Sequence, residues 1–264
     1  MMIKANSEPL RSWKAFENQI RSKGHCLLKR LDDFPNSILV TGCQRSGTTM
    51  VSRMIRRSEG VTDFQFGHDD ELDAALILSG YVDHKPKGRY CFQTTYVNDN
   101  YDEYFSSQNG HKIIWVLRNP HSVVYSILHN WRRAALNRLF LSCGAKFLDE
   151  KEKQKVNRFG AWTVGRPRKA CLAFNGKISQ LFELKKHFGP DQLMVIDYDD
   201  LVQRKNKILP ILYRFTDLPY NDHYTKMIHA ESLNKTKGQS QKESAIVSNI
   251  CQPVYLKARN LIDT

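Results

Sequence analysis

The sequence predicts an α/β fold, a three-layer sandwich with a central parallel sheet, on three observations. Short apolar runs recur at residues 37–42, 90–94, 112–117 and 193–196, each followed by a helical pattern. Runs of this kind are strands buried on both faces and joined by helical crossovers. The first run, Ile38-Leu39-Val40, enters the Gly-rich turn from Gly42 to Gly47 and then Thr48 and Thr49. That is the outline of a loop whose backbone N–H groups, with the helix N-terminus behind them, cradle a phosphate. Finally, 264 residues suffice for one large α/β core, so residues 1–264 are expected to form a single domain.

The elements follow in order. Leu10, Trp13, Phe16 and Ile20 lie at helical spacing and predict an amphipathic helix over residues 8–22, within an N-terminal helical extension of residues 1–36. A helix follows the Gly-rich turn from Thr48 through Arg57. Residues 69–80 read as a helix, with acidic residues in its first turn and an apolar run after. A strand is expected from Tyr90 to Thr94, a helix from Asn98 to Ser107, and a strand from Lys112 to Leu117 around Ile113-Ile114-Trp115-Val116. Pro120 suits the first turn of a helix running to about Arg133. Residues 134–156 are basic and irregular and read as a mobile insertion. A long helical pattern over 159–187 closes at Gly189-Pro190, before a strand from Leu193 to Ile196 and helices near 199–203 and 205–216. The tail from 231 is polar and ends in a short helix. In parallel sheets, ligands bind beyond the carboxyl ends of the strands. The loops after Thr41, Thr94, Leu117 and Ile196 should therefore gather at one site.

Composition narrows the partners. The formal net charge is +13, which suits either a merely basic surface or a polyanionic ligand. The six cysteines are scattered with no C-x-x-C pair. This argues against a zinc or redox motif and for reduced thiols in a cytoplasmic protein, with a trimmed lumenal domain as the alternative. No apolar stretch reaches the length of a membrane span.

The phosphate-loop pattern is incomplete. Gly42, Gly47 and Thr49 match G-x-x-x-x-G-K-[ST], but Thr48 stands where a nucleotide triphosphatase has lysine, and the cation sits earlier, at Arg45. A second segment, Val116-Leu117-Arg118-Asn119-Pro120, is followed by Ser126, eight positions after the arginine. A third, Tyr198-Asp199-Asp200-Leu201, follows the last buried run. Together, over residues 37–203, these segments resemble the sulfotransferases that use 3′-phosphoadenosine-5′-phosphosulfate (PAPS). The resemblance implies PAPS as co-substrate with no metal required. It implies that Arg45, Ser46, Gly47, Thr48 and Thr49 hold the 5′-phosphosulfate, and that Arg118 and Ser126 hold the 3′-phosphate. The basic segment Asn234–Gly238, with Lys235 and Lys237, is loosely similar to the family's stretch that closes over that phosphate. The residue types agree with those roles. Arg118 offers a planar fork to phosphate oxygens and Ser126 a hydroxyl donor. Arg45 can neutralise charge on the bridging oxygen as sulfuryl leaves, an effect worth about 3–4 kcal/mol for one such donor.

One family feature is missing. Many cytosolic members follow their second strand with Lys-Thr-His, the histidine acting as base; this chain has Gln93-Thr94-Thr95. The candidate bases are His68, Asp69 and Glu71, in the segment between the loop helix and the next strand, where related enzymes place an acidic base. The plainer reading of those acids is a helix N-terminus complementing the dipole. His111 sits at the wrong end of its strand, and His121 and His129 suit a helix surface. The function so implied is sulfuryl transfer to a hydroxyl or amine of a small molecule or glycan, without nucleic acid. Two alternatives stand beside it. In a P-loop kinase, Asp197 would end the last strand as a magnesium-binding acid. A basic module would bind polyanions with steep salt dependence.

Overall fold

The computed structural model of the chain describes residues 10, 12–64, 69–107, 110–228 and 238–262. Four parallel strands form one sheet in the order β2-β1-β3-β4: β1 is Ile38–Gly42, β2 Cys91–Gln93, β3 Lys112–Leu117 and β4 Leu193–Asp197. Ile38 pairs with Cys91 on one side and Lys112 on the other, and Ile113 pairs with Leu193.

Side chains of a strand alternate between faces, and here both faces are apolar. Leu39, Phe92, Ile113, Trp115, Leu117, Leu193 and Val195 enter one core; Ile38, Val40, Cys91, Ile114, Val116, Met194 and Ile196 enter the other. Helices α1 (Trp13–Gln19), α3 (Asp70–Leu78), α4 (Pro120–Asn130), α7 (Arg166–His187), α10 (Gln241–Ile250) and α11 (Gln252–Arg259) contribute to the first core. Helices α2 (Thr48–Arg56), α8 (Tyr198–Gln203) and α9 (Lys205–Phe215) contribute to the second. The result is the expected three-layer α/β sandwich.

Several expectations need correction. The N-terminal helix is shorter, starting after Ser12, whose hydroxyl accepts the Ala15 amide. This region is also no appendage, because Phe16, Leu27, Leu31 and Phe34 are buried in the larger core. Residues 98–107 form only a 3-10 turn over Tyr101–Ser106. The supposed irregular insertion at 134–156 is helical: α5 (Arg133–Leu139), a π turn at Phe140–Gly144, and α6 (Glu150–Phe159) behind an Asp149/Glu152 capping box. Its charges lie outward while Leu136, Leu139, Phe140 and Cys143 are buried. The π turn seats against α7 because position 176 has no side chain; a Cβ there would stand 2.1 Å from the Cys143 carbonyl. The long helix α7 begins at Arg166 rather than 159, after Gly160 (φ 91°) breaks the path. The polar tail carries two helices rather than one. No helix among the described residues is long and apolar enough to cross a membrane.

Candidate active site

The turn after β1 is shaped by close approaches. Gly47 has φ 98°, and a Cβ on it would lie 2.1 Å from the Tyr198 ring. Arg45 itself adopts φ 72°, a left-handed conformation uncommon for residues with a Cβ. Ser46 closes the loop from inside, its hydroxyl and amide both donating to the Cys43 carbonyl at 2.6 and 3.1 Å. This buried serine therefore sits behind the loop rather than in the phosphate cradle expected for it. Gly47, Thr48 and Thr49 do line the cleft, at the start of α2, where helix amides have no intrahelical acceptor. The Thr48 hydroxyl accepts from Gln93 Nε2 at 3.2 Å, and the Ser52 hydroxyl donates to Gln93 Oε1 at 3.3 Å. Gln93 thus fixes the loop helix from β2.

Gly47→Ala is expected to combine left-handed backbone strain with overpacking against Tyr198, a loss of roughly 2–5 kcal/mol. Thermal melting would measure it, and an unchanged melting temperature would contradict the Tyr198 contact.

A second basic element ends β3. Arg118 is buried; its Nη1 donates to the Arg45 carbonyl at 3.2 Å, its Nε lies 3.5 Å from Asp199, and its guanidinium sits 4.5 Å from the Tyr198 ring centroid. Arg45 Nε donates to the Ser126 hydroxyl oxygen at 2.9 Å, and Asn130 donates to the same oxygen at 3.1 Å. With two N–H groups on its oxygen, Ser126 is left to donate its own hydrogen to a further acceptor. Burial, then the charge of Arg118, lower the pKa of Arg45. Among the described residues no carboxylate forms an ion pair with Arg45. Two neighbouring guanidinium groups, one of them beside Asp199, favour an anion at this end of the cleft.

The cleft has a volume of about 560 Å³ and is lined from all four strand ends, by Gln44, Thr95, Arg118 and Tyr198 among others. Glu71 also lines the cleft, and its Oε1 accepts the Thr95 hydroxyl. Burial pushes the Glu71 carboxyl up to about 7, against the opposing influence of that hydrogen bond. Asp69 takes the plainer role. One oxygen caps α3 through the Leu72 amide at 2.5 Å, and the other accepts Trp13 Nε1 at 2.9 Å. Asp70 is buried between Arg53 and Arg56. His68, Lys235 and Lys237 lie outside the described residues.

Several lining residues had no signal in the sequence. Trp13, Glu17 and Arg21 bring α1 to the cleft, while Trp131 and Arg138 form the wall around α5. Arg21 pairs with Glu17 at 3.0 Å and also donates to the Tyr96 carbonyl. These approaches cross long sequence separations, and a single helical stripe does not reveal them. His111 and His121 do not line the cleft. His111 is buried with its Nε2 3.7 Å from Asp32, and His121 reaches Gln239 and Ser248 on the C-terminal side. Asp197 is occupied as the cap of α8, accepting the Asp199 and Asp200 amides and the Tyr255 hydroxyl.

The family model of the sulfotransferase domain matches residues 35–252. Among solved structures, a sulfotransferase from Alicyclobacillus acidocaldarius is similar with a TM-score of 0.51 at 14% identity, over 87% of this chain and 97% of that one. A mouse sulfotransferase complexed with PAP gives a TM-score of 0.50 at 15% identity, over 90% and 94%. At such identities the likeness is one of fold. No curated protein matches the sequence.

Proposed function

The chain belongs to the sulfotransferase family, and on that premise we propose that its cleft moves the sulfuryl group of PAPS to a hydroxyl or amine of a small molecule or glycan. The observation that carries this reading is the convergence of Arg45 and Arg118 beside the amide-rich start of α2, with the Ser126 hydroxyl bonded to Arg45. That arrangement suits a ligand with two separated anionic ends. In this reading Arg118 and Ser126 hold the 3′-phosphate, and the Gly47–Thr49 amides and Arg45 hold the 5′-phosphosulfate.

The proposed step is an in-line displacement at sulfur. Glu71, as carboxylate, takes the acceptor proton; the acceptor oxygen or nitrogen bonds to sulfur; the bond from sulfur to the bridging phosphate oxygen breaks. Sulfated acceptor and 3′,5′-adenosine bisphosphate (PAP) are the products, and Glu71 returns its proton to solvent. Arg45 stabilises the negative charge that builds on the bridging oxygen. A cleft of about 560 Å³ falls in the size range of small-molecule sites, which supports a compact acceptor or the end of a glycan.

The kinase reading fares worse, because Thr48 replaces the catalytic lysine and Asp197 is engaged by backbone amides and Tyr255. Calorimetric titration without magnesium separates the two. PAP is expected to bind at micromolar Kd, and ATP much more weakly. Binding of ATP only, and only with magnesium, would replace sulfuryl with phosphoryl transfer. Salt-steep binding of any polyanion with no preference for PAP would favour the binding module.

A further inference from the structure

Lys177 stands on α7 with 0% exposure, and nothing in the reaction above uses it. Among the described residues no carboxylate lies within ion-pair distance of its ammonium. A buried charge without such a partner is costly unless every donor is satisfied. Here three acceptors meet its three N–H groups: the carbonyls of Thr95 at 3.1 Å and Val97 at 3.0 Å, and Asn98 Oδ1 at 3.4 Å. The ammonium also lies 5.9 Å from the Trp115 ring centroid.

The segment it grips has two other attachments. Gln44, within the loop after β1, donates through Nε2 to two of the same oxygens, the Thr95 carbonyl at 2.8 Å and Asn98 Oδ1 at 2.9 Å. Thr95 then turns its hydroxyl outward to Glu71. One short stretch after β2 is therefore held from beneath by Lys177, joined sideways to the anion loop, and bonded forward to the carboxylate in the cleft.

We propose that Lys177 is a positioning residue for sulfuryl transfer, tying the phosphosulfate loop and Glu71 into one frame through Thr95–Asn98. The proposal rests on the sulfotransferase reading for its function and on the hydrogen bonds for its geometry. An apolar side chain of similar length would fill the space but leave the Val97 carbonyl without this donor. It would also remove the cation that favours ionised Glu71.

The electrostatics agree. Burial pulls Lys177 down to about 8, opposed by Cys143, Cys43 and Glu71 and assisted by Arg21. At Glu71, burial and Asp69 raise the carboxyl, while Thr95, Lys177 and Arg21 lower it. Loss of either Lys177 or the Thr95 hydroxyl should therefore move the Glu71 titration upward.

The test is a ¹³C carboxyl NMR titration of the ligand-free protein, with the Glu71 signal identified by its loss in Glu71→Gln. Lys177→Met is expected to raise the Glu71 midpoint by about 0.5–1 pH unit and to weaken PAP binding about tenfold. Lys177→Arg, which keeps the cation, should leave the midpoint near that of the wild type. Thr95→Val should raise the midpoint with little effect on PAP, because the Thr95 carbonyl is retained. A folded Lys177→Met protein with wild-type midpoint and wild-type PAP affinity would overturn the proposal. If Lys177→Met does not fold, Thr95→Val and Gln44→Leu decide. An unmoved midpoint in the first, or undiminished PAP binding in the second, breaks the frame. Absence of PAP binding in the wild-type protein would instead remove the sulfotransferase reading, while the carboxyl titration still reports on the Lys177 frame.

Discussion

Arg118→Ala is expected to weaken PAP binding by about 10²–10³-fold, the scale of removing one partner from a desolvated charge pair. Among the groups that place Arg118 at the end of β3 are the Arg45 carbonyl, Asp199 and the Tyr198 ring. These hold the guanidinium plane still, so little ordering remains to be done when a phosphate arrives. Stability of the ligand-free protein should change far less than affinity. The substitution loses the Asp199 interaction and the ring contact but also relieves the repulsion between two neighbouring guanidinium groups. Calorimetry and thermal melting on the same samples separate the two quantities. Arg118→Lys retains the charge and loses the fork, so its affinity should fall between those of wild type and alanine. If alanine leaves PAP binding intact, the second anion subsite lies elsewhere and the pairing of Arg118 with Ser126 is incidental.

The elements that carried the sequence reading were those whose physics is local. Ile38-Leu39-Val40 and Ile113–Leu117 read as strands because their side chains are apolar on both faces. The anion loop read as a loop because of its glycines, although the need for Gly47 comes from Tyr198, a residue 151 positions later. Other signals were present and obscured. Leu136, Leu139, Phe140 and Cys143 follow i, i+3, i+4, i+7 spacing and mark a helix, but eight Lys and Arg residues between 132 and 158 made that stretch look like a loop. Ser240 and Glu243 form a capping box, which is legible as Ser-x-x-Glu before an apolar pattern. Beyond the motif residues and Asp69 and Glu71, the rest of the cleft wall was not legible. Trp13 meets Asp69 across 56 residues, and Lys177 looks like any lysine on a long helix until the chain folds around it. Such contacts are set by tertiary packing, and no local pattern encodes them.

Glu71→Gln tests the proposed base, and its two expected effects have opposite signs. Turnover should fall by about 10²–10⁴-fold, the usual contribution of a positioned general base, while PAP affinity is kept. In the wild type the active form is the carboxylate, so the rate should rise with pH through about 7, the value to which burial pushes Glu71. Stability runs the other way. The folded protein holds the Glu71 proton more tightly than the unfolded chain, whose glutamate has the ordinary value of 4.5. This group's stabilising contribution is full below 4.5 and is lost as pH rises through about 7. Glutamine cannot ionise, so at pH 8 the variant should melt at or above the wild-type temperature even though it is nearly inactive. Asp70→Asn provides the contrast one residue away. That carboxylate is buried between Arg53 and Arg56, and its neutralisation takes a charge partner from both, although Arg56 keeps Asp63 at 2.7 Å, so melting should drop. A variant that loses activity without losing stability fits the trade-off expected of a catalytic carboxylate held in a destabilising site, whereas the ion-paired Asp70 should show the opposite response. If Glu71→Gln keeps its turnover, the base is not Glu71, and His68 becomes the first residue to replace.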